Sequence, residues 1–243
     1  MTTFERAPSG AAINTDKDAP QLPGIRAQLI EGMLRNAPFD GWSQTALEAA
    51  ARDAGVTPEM AEVAFPGGLA QIAEAVHDQI DVQMLEKLAA ADVTALKIRE
   101  RVTLAVRARL EAAAPHREAF RAMASYLAFP LNAPLAAKLM WRTVDALWRA
   151  IGDSSSDFAF YTKRATLAGV WGSTVMIWLQ DKSEDFADTW AFLDRRIADV
   201  MAIEACKARF KQAAGQTPDP FGLFRRPTSA GKAGAGKPGG PRH

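Results

Sequence analysis

Cysteine is nearly missing from this chain: Cys206 is the only one in 243 residues, which rules out an internal disulfide framework and suits a reducing compartment. Histidine is almost as scarce, with His77, His116 and His243 alone, so few metal or acid–base constellations can be assembled. Strand signals are absent too: no sustained alternation of apolar and polar residues occurs, and Val/Ile/Thr clusters are few. The N-terminal twenty residues, MTTFERAPSGAAINTDKDAP, lack the apolar run of a secretory signal and are acidic for a mitochondrial presequence. Ala165–Gln180, as long as any charge-free run in the chain, is short for a membrane span and rich in Gly, Ser and Thr, so a buried central helix is expected.

What is present favours helix. Ala, Leu, Glu, Arg and Met dominate, and their spacing predicts an all-α chain of about nine helices. Pro23-Gly24 opens the first, with Ile25, Leu29, Ile30, Met33 and Leu34 inward and Pro38 as its stop. Thr45 starts a second helix that Gly55 closes. Thr57-Pro58 caps a short third helix, and the pair reads as a helix-turn-helix. Leu47, Val56, Met60, Val63 and Phe65 are its expected core. A fourth helix, from about Leu69 to Ala90, turns Ile72, Val76, Ile80, Met84 and Leu88 to one side. The larger body follows: Ile98 to Ala113, a helix after Pro115, Ala133 to Ile151, Ser156 or Asp157 to Gln180, and a ninth after Ser183 carrying Phe186, Trp190, Leu193, Ile197, Val200 and Met201.

The organisation expected is a flexible arm over 1–22, a helix-turn-helix head over 23–68, a helical body over 69–206 and a basic tail over 207–243. A net charge of +1 conceals this polarity: Ala205 to His243 holds eight Lys or Arg against one Asp, leaving 21 against 27, or −6, for the rest. The tail is too poor in apolar residues to offset chain entropy, apart from a 220–226 island where Phe221, Leu223 and Phe224 precede Arg225 and Arg226. Such a segment could insert shallowly into an anionic membrane or fold back on the body; basic ends also serve solubility alone.

Two groups of motifs carry a family resemblance. AARDAGVTPEMAEVAFPGGLAQIAEAV, Ala50 to Val76, is similar to the head of TetR-type regulators. WRTVDALWRAIGDSSSDFAFYTKRATLAGVW, Trp141 to Trp171, with LQDKSEDFADTWAFLDRRI, Leu179 to Ile197, resembles the ubiquinone-biosynthesis accessory protein family of the coenzyme Q pathway, over about Ile25 to Arg209. The resemblance implies a TetR-like, non-enzymatic homodimer that binds isoprenoid lipid or a quinone precursor and assists the di-iron demethoxyubiquinone hydroxylase. It also implies a hydroxylase-facing patch at Asp157, Phe160, Tyr161 and Arg164, although the family more often has Trp-Tyr where Phe160-Tyr161 stand. The competing view of Tyr161 is packing against the preceding helix, with the charges bridged locally.

From the residues themselves, a long isoprenoid needs a wide apolar chamber, which Met and aromatic side chains line well. Its expected walls are Phe120, Met123, Leu127, Leu135, Leu139, Met140, Leu147, Trp171, Val175 and Trp178, all of which also suit ordinary core. Ala165, Ala168, Gly169 and Gly172 form a small-residue strip on the eighth helix. A ligand-responsive TetR-type transcription regulator is the alternative function. Against it, Asp53 to Glu86 holds seven acidic residues and no Lys or Arg, the wrong sign for phosphate contacts and base readout.

Catalytic motifs fail on their chemistry. Glu74-x-x-His77 has di-iron spacing, but such a site needs a second pair and further carboxylates, so a partly exposed surface pair is expected and no metal or other cofactor. Gly231 to Lys237 matches a phosphate loop in letters, yet Pro238 replaces the hydroxyl residue and no strand precedes it. Cys206 and Ser154 to Ser156 lack a His partner. The expected setting is a bacterial cytoplasm with peripheral attachment to the inner membrane, a processed mitochondrial protein being the second choice.

Overall fold

The computed structural model describes residues 22–91, 93–152 and 158–215, and among them no strand occurs. The helices are α1 (Leu22–Asp40), α2 (Gln44–Asp53), α3 (Pro58–Ala64), α4 (Gly68–Ala89), α5 (Ile98–Ala113), α6 (Arg117–Leu127), α7 (Ala133–Ala150), α8 (Phe158–Gln180) and α9 (Ala187–Gly215). The all-α expectation therefore holds. Residues through Ala198 form one compact unit and those from Asp199 a second; the 1–21 arm and the 216–243 tail, with Phe221, Leu223, Phe224, Arg225 and Arg226, lie outside the described residues.

Local sequence sets the helix ends. Pro38 does not stop α1; it sits in the last turn, where its fixed φ is compatible with helix and only one hydrogen bond is forfeited. The turn comes at Gly41, whose φ of +74° favours glycine. Ser43, two positions before Thr45, caps α2 by accepting from the Ala46 N–H at 3.3 Å. Gly55 at φ +65° reverses the chain, and Thr57 caps α3 at the Met60 N–H with Pro58 behind it, as expected.

Helices α1 and α2 cross so closely that a Cβ on Gly32 would lie 2.7 Å from the Ala50 Cβ. The head core is built from Ile25, Leu29, Met33, Trp42, Leu47, Ala61, Ala64 and Phe65, and Met123 and Leu139 of the body join the same cluster. Two expected members are absent: Met60 is 41% exposed and Val63 61%. Ala61 and Ala64 take the inward positions on α3, because the close approach of neighbouring helices leaves room for a methyl group and little more. On α4 the inner face is as expected, with Ile72, Val76, Ile80, Met84 and Leu88 all buried.

Candidate functional site

The body buries charge. Arg109 projects from the apolar side of α5, in helical step with Ala105, Ala112 and Ala113, and is 1% exposed. Its Nε donates to the Asp81 carboxylate of α4 at 2.7 Å, and a terminal N–H donates to His77 Nδ1 at 3.1 Å. Its guanidinium also lies 4.9 Å over the Trp171 ring of α8. Burial pulls the Arg109 pKa down against the pull of Asp81, and burial raises that of Asp81 against Arg109. Desolvation leads in both, so the pair contributes less stability than its close contact suggests.

His77 thus bonds within the Arg109 cluster, and although it and Glu74 are both partly exposed, as expected, the two do not pair with each other. Desolvation first, then the charges of Arg109 and Arg142, lowers its pKa well below the usual imidazole value, keeping the ring neutral. Arginine can only donate, so Nδ1 accepts and the ring proton resides on Nε2. Glu74 instead holds α7 to α4 by accepting from Lys138 at 2.7 Å and Arg142 at 3.3 Å. Among the described residues no group of His, Cys, Asp and Glu could hold a metal ion.

From His77 a line of rings crosses the body. His77 and Phe120 of α6 have centroids 6.1 Å apart, Phe120 and Trp178 of α8 6.3 Å, Trp178 and Phe186 6.2 Å, and Phe186 and Trp190 of α9 6.3 Å. The steps are tilted or edge-to-face, as ring quadrupoles prefer. Arg117 of α6 lies 5.4 Å over Phe186. Two buried donors along this line have no hydrogen-bond partner among the described residues: Trp178 Nε1 and Arg117 Nε.

The α8–α9 corner fixes the far end of the line. Asp181 accepts from the backbone N–H and hydroxyl of Ser183 and of Thr189, all four at 2.5–2.8 Å. Burial opposes the Asp181 charge, but these bonds outweigh it and hold the pKa down to about 2. Between them Asp185 and Phe186 adopt φ of +50° and +58°, a conformation costly for residues with a Cβ, and Trp190 Nε1 donates to the Asp185 carbonyl at 2.7 Å. Arg117 and Arg121 both donate to the last-turn carbonyl of Leu179.

Of the expected lipid walls, Met123, Leu139, Leu147, Trp171 and Trp178 are buried, while Phe120, Leu127, Leu135, Met140 and Val175 are partly buried. Met140 packs against Gly172, where a Cβ would meet its terminal methyl at 3.3 Å. None of the ten lines the 890 Å³ cleft among Leu88, Leu96, Arg99, Leu104, Arg107 and Asp194, or the 620 Å³ cleft between α2 and α3. Sequence reasoning missed Asp81, Arg109 and Arg117; the available signal was a lone arginine at position 109 in step with alanines on an inner face.

At the expected partner patch, Tyr161 is 61% exposed, its ring 6.3 Å from that of Trp141 on α7. Arg164, three residues on, is turned inward at 1% exposure and bonded to Asp145 of α7 at 2.8 Å. Phe160 lies in the first turn of α8, and Asp157 lies outside the described residues. No helix among the described residues is long and apolar enough to cross a membrane.

Comparison with known proteins assigns the frame and the family. A TetR transcriptional regulator from Nitrosomonas europaea superposes with a TM-score of 0.60 at 22% identity, over 72% of this chain and 96% of its own, which establishes a TetR-like fold. The family model COQ9 matches residues 133–204, spanning α7, α8 and most of the described part of α9. The chain is 33% identical over 185 residues to the rat protein "Ubiquinone biosynthesis protein COQ9, mitochondrial", covering 73% of this chain and 59% of that one. Its Xenopus laevis counterpart COQ9-A is 32% identical, covering 74% and 58%, and the human one 30% identical, covering 73% and 58%. The chain thus spans somewhat under three fifths of the length of each of these relatives. Their names overturn the expected bacterial cytoplasm, since each is designated mitochondrial and points to that organelle instead; absence of a recognisable presequence was a weak guide, because it judged an address from twenty residues. With the family's pattern in the second half and a TetR-like frame over most of the described helices, this chain is a relative of the COQ9 proteins of ubiquinone biosynthesis.

Proposed function

We propose that this protein serves ubiquinone biosynthesis as a lipid-binding accessory that takes up an isoprenoid quinone precursor and presents it to the di-iron demethoxyubiquinone hydroxylase. Kinship to ubiquinone biosynthesis proteins supports the pathway. The observation that carries the lipid is the ring line from His77 to Trp190, an aromatic interior with unsatisfied donors in it. Its contribution is positioning and desolvation, with the chemistry left to the hydroxylase. In this reading the chain works as a homodimer peripheral to a membrane, and Tyr161 is the exposed aromatic anchor of the partner surface.

Mass spectrometry of lipid co-purified with the full chain under gentle conditions tests the proposal. An isoprenoid quinone or precursor is the expected passenger; protein that is consistently empty and ignores added quinones overturns it. Tyr161→Ala is expected to weaken hydroxylase binding at least tenfold without changing lipid occupancy, and loss of both would make the tyrosine structural.

The TetR-like frame suggests a transcription regulator as the second reading. The face that α3 offers argues against it: Glu59, Met60, Glu62 and Val63 are exposed there, and neither carboxylates nor alkyl groups can neutralise phosphate. Tight, salt-sensitive binding to a palindromic DNA would reverse that ranking.

A further inference from the structure

The turn between α6 and α7 is apolar on its outside. From Ala122 to Ala137 the sequence holds no charged residue, and within that run the chain reverses through a short 3₁₀ turn at Pro130–Asn132. Leu131 is 91% exposed, more than any other large apolar side chain among the described residues, and Phe129 is 65% exposed. Ala128, Pro130, Ala133 and Pro134 are exposed beside them. The inward places are taken, because Tyr126, Leu127 and Leu135 at the root of the turn pack against the core that head and body share. Apolar groups gathered at one exposed place mark a contact with something apolar.

Backbone chemistry says which kind. Moving a turn out of water is costly where N–H groups are left without partners. Here Ala128 donates to the Ala124 carbonyl at 3.0 Å, Phe129 to Tyr126 at 3.3 Å and Asn132 to Phe129 at 2.8 Å. Ala133 donates to the Pro130 carbonyl, and Pro130 and Pro134 have no N–H to satisfy. The Asn132 side chain, the one amide at the tip, donates to the Tyr126 carbonyl at 2.8 Å. The tip can therefore enter a nonpolar medium with these donors already engaged. To a protein partner it offers no charged side chain and a single occupied amide, a poor basis for a specific interface, whose rim is ordinarily polar. The cations that bound the run are neutralised as well, Arg121 by Glu118 at 2.7 Å and Lys138 by Glu74 at 2.7 Å, so attraction to anionic headgroups is weak.

We propose that the α6–α7 turn is a membrane-insertion loop, in which Phe129 and Leu131 enter the acyl region of a bilayer and hold the protein there by apolar burial, without need of headgroup charge. The loop rests on the peripheral-membrane reading and gives it a place in the described fold. Its indifference to charge separates it from the basic 220–226 segment, whose arginines call for anionic lipid.

The test floats the full chain with phosphatidylcholine vesicles at low and high salt. Wild-type protein is expected to float at both. Phe129→Ser and Leu131→Ser should each lower the partition coefficient about tenfold, near the worth of one large apolar side chain withdrawn from lipid. Both side chains face water, so the melting temperature should not move. Independently of these variants, a nitrobenzoxadiazole fluorophore on Leu131→Cys, in a Cys206→Ser background, should brighten and shift to the blue with vesicles, while the same probe on Met60→Cys of α3 stays in water. A Leu131 probe that stays in water while the protein floats, or flotation confined to anionic vesicles, would overturn the loop and leave peripheral attachment to another segment. Protein that floats with neither phosphatidylcholine nor anionic vesicles would overturn the peripheral reading and the loop together.

Discussion

Two buried tryptophans separate the head from the body. Trp42 of the head is 4% exposed and donates to the Leu69 carbonyl at 3.2 Å; Trp178 of the body is 1% exposed and its N–H meets no acceptor among the described residues. The same contrast holds for charge, because every buried polar or charged side chain among the described residues is at Arg109 or beyond. The head is a close-packed assembly of alanines and aliphatics with its polar groups satisfied, as a unit kept for shape would be. The body carries unpaired donors, buried ions and left-handed backbone, and such costs persist where a site needs them.

The sharpest way to break this comparison is to remove one member of the buried pair. Asp81→Ala leaves the Arg109 charge enclosed without a partner and should cost about 3–5 kcal/mol, read by urea unfolding; a loss below about 1 kcal/mol would mean the arginine is hydrated. Gly32→Ala attacks the head by shape alone, forcing a methyl group to within 2.7 Å of the Ala50 Cβ, and should cost about 1–3 kcal/mol. An unchanged melting temperature would show that α1 and α2 can part cheaply.

Acid should act on the body first. His77 is neutral when folded and ordinary when unfolded, so the unfolded chain binds the extra proton and stability falls as pH drops below about 6.5. His77→Gln should flatten the melting profile between pH 7.5 and 5.5. A second loss belongs to Asp181, whose contribution is whole above its ordinary value near 3.8 and disappears as pH falls through about 2. Smallest of all is Met60→Lys, expected to stay within about 0.5 kcal/mol because the side chain faces water; a larger loss would restore Met60 to the head core.

The helices were largely legible because periodicity and capping are local. Thr57-Pro58, Gly55 and the α4 stripe announce themselves in sequence, and the family motifs around Trp141–Trp171 and Leu179–Ile197 point to the relatives later found. Facing was less legible on α3, where seven residues complete barely two turns and leave the inward side to be set by neighbours. The site was least so: Phe120 and Trp178 could be named as walls, but the meeting of His77, Asp81 and Arg109 depends on α4 and α5 lying side by side, which no spacing within either helix encodes. Arg164 illustrates the same limit, since its inward turn is decided by Asp145 on another helix.

The Asp181 knot has a mechanical consequence. One carboxylate grips the residues just beyond α8 and the first turn of α9 at once, through Ser183 and Thr189, and no slack remains in the link between them. Any displacement of Trp178 therefore bears on this elbow, and the start of α9 is tied to the end of α8 as the two arms of a bell crank are.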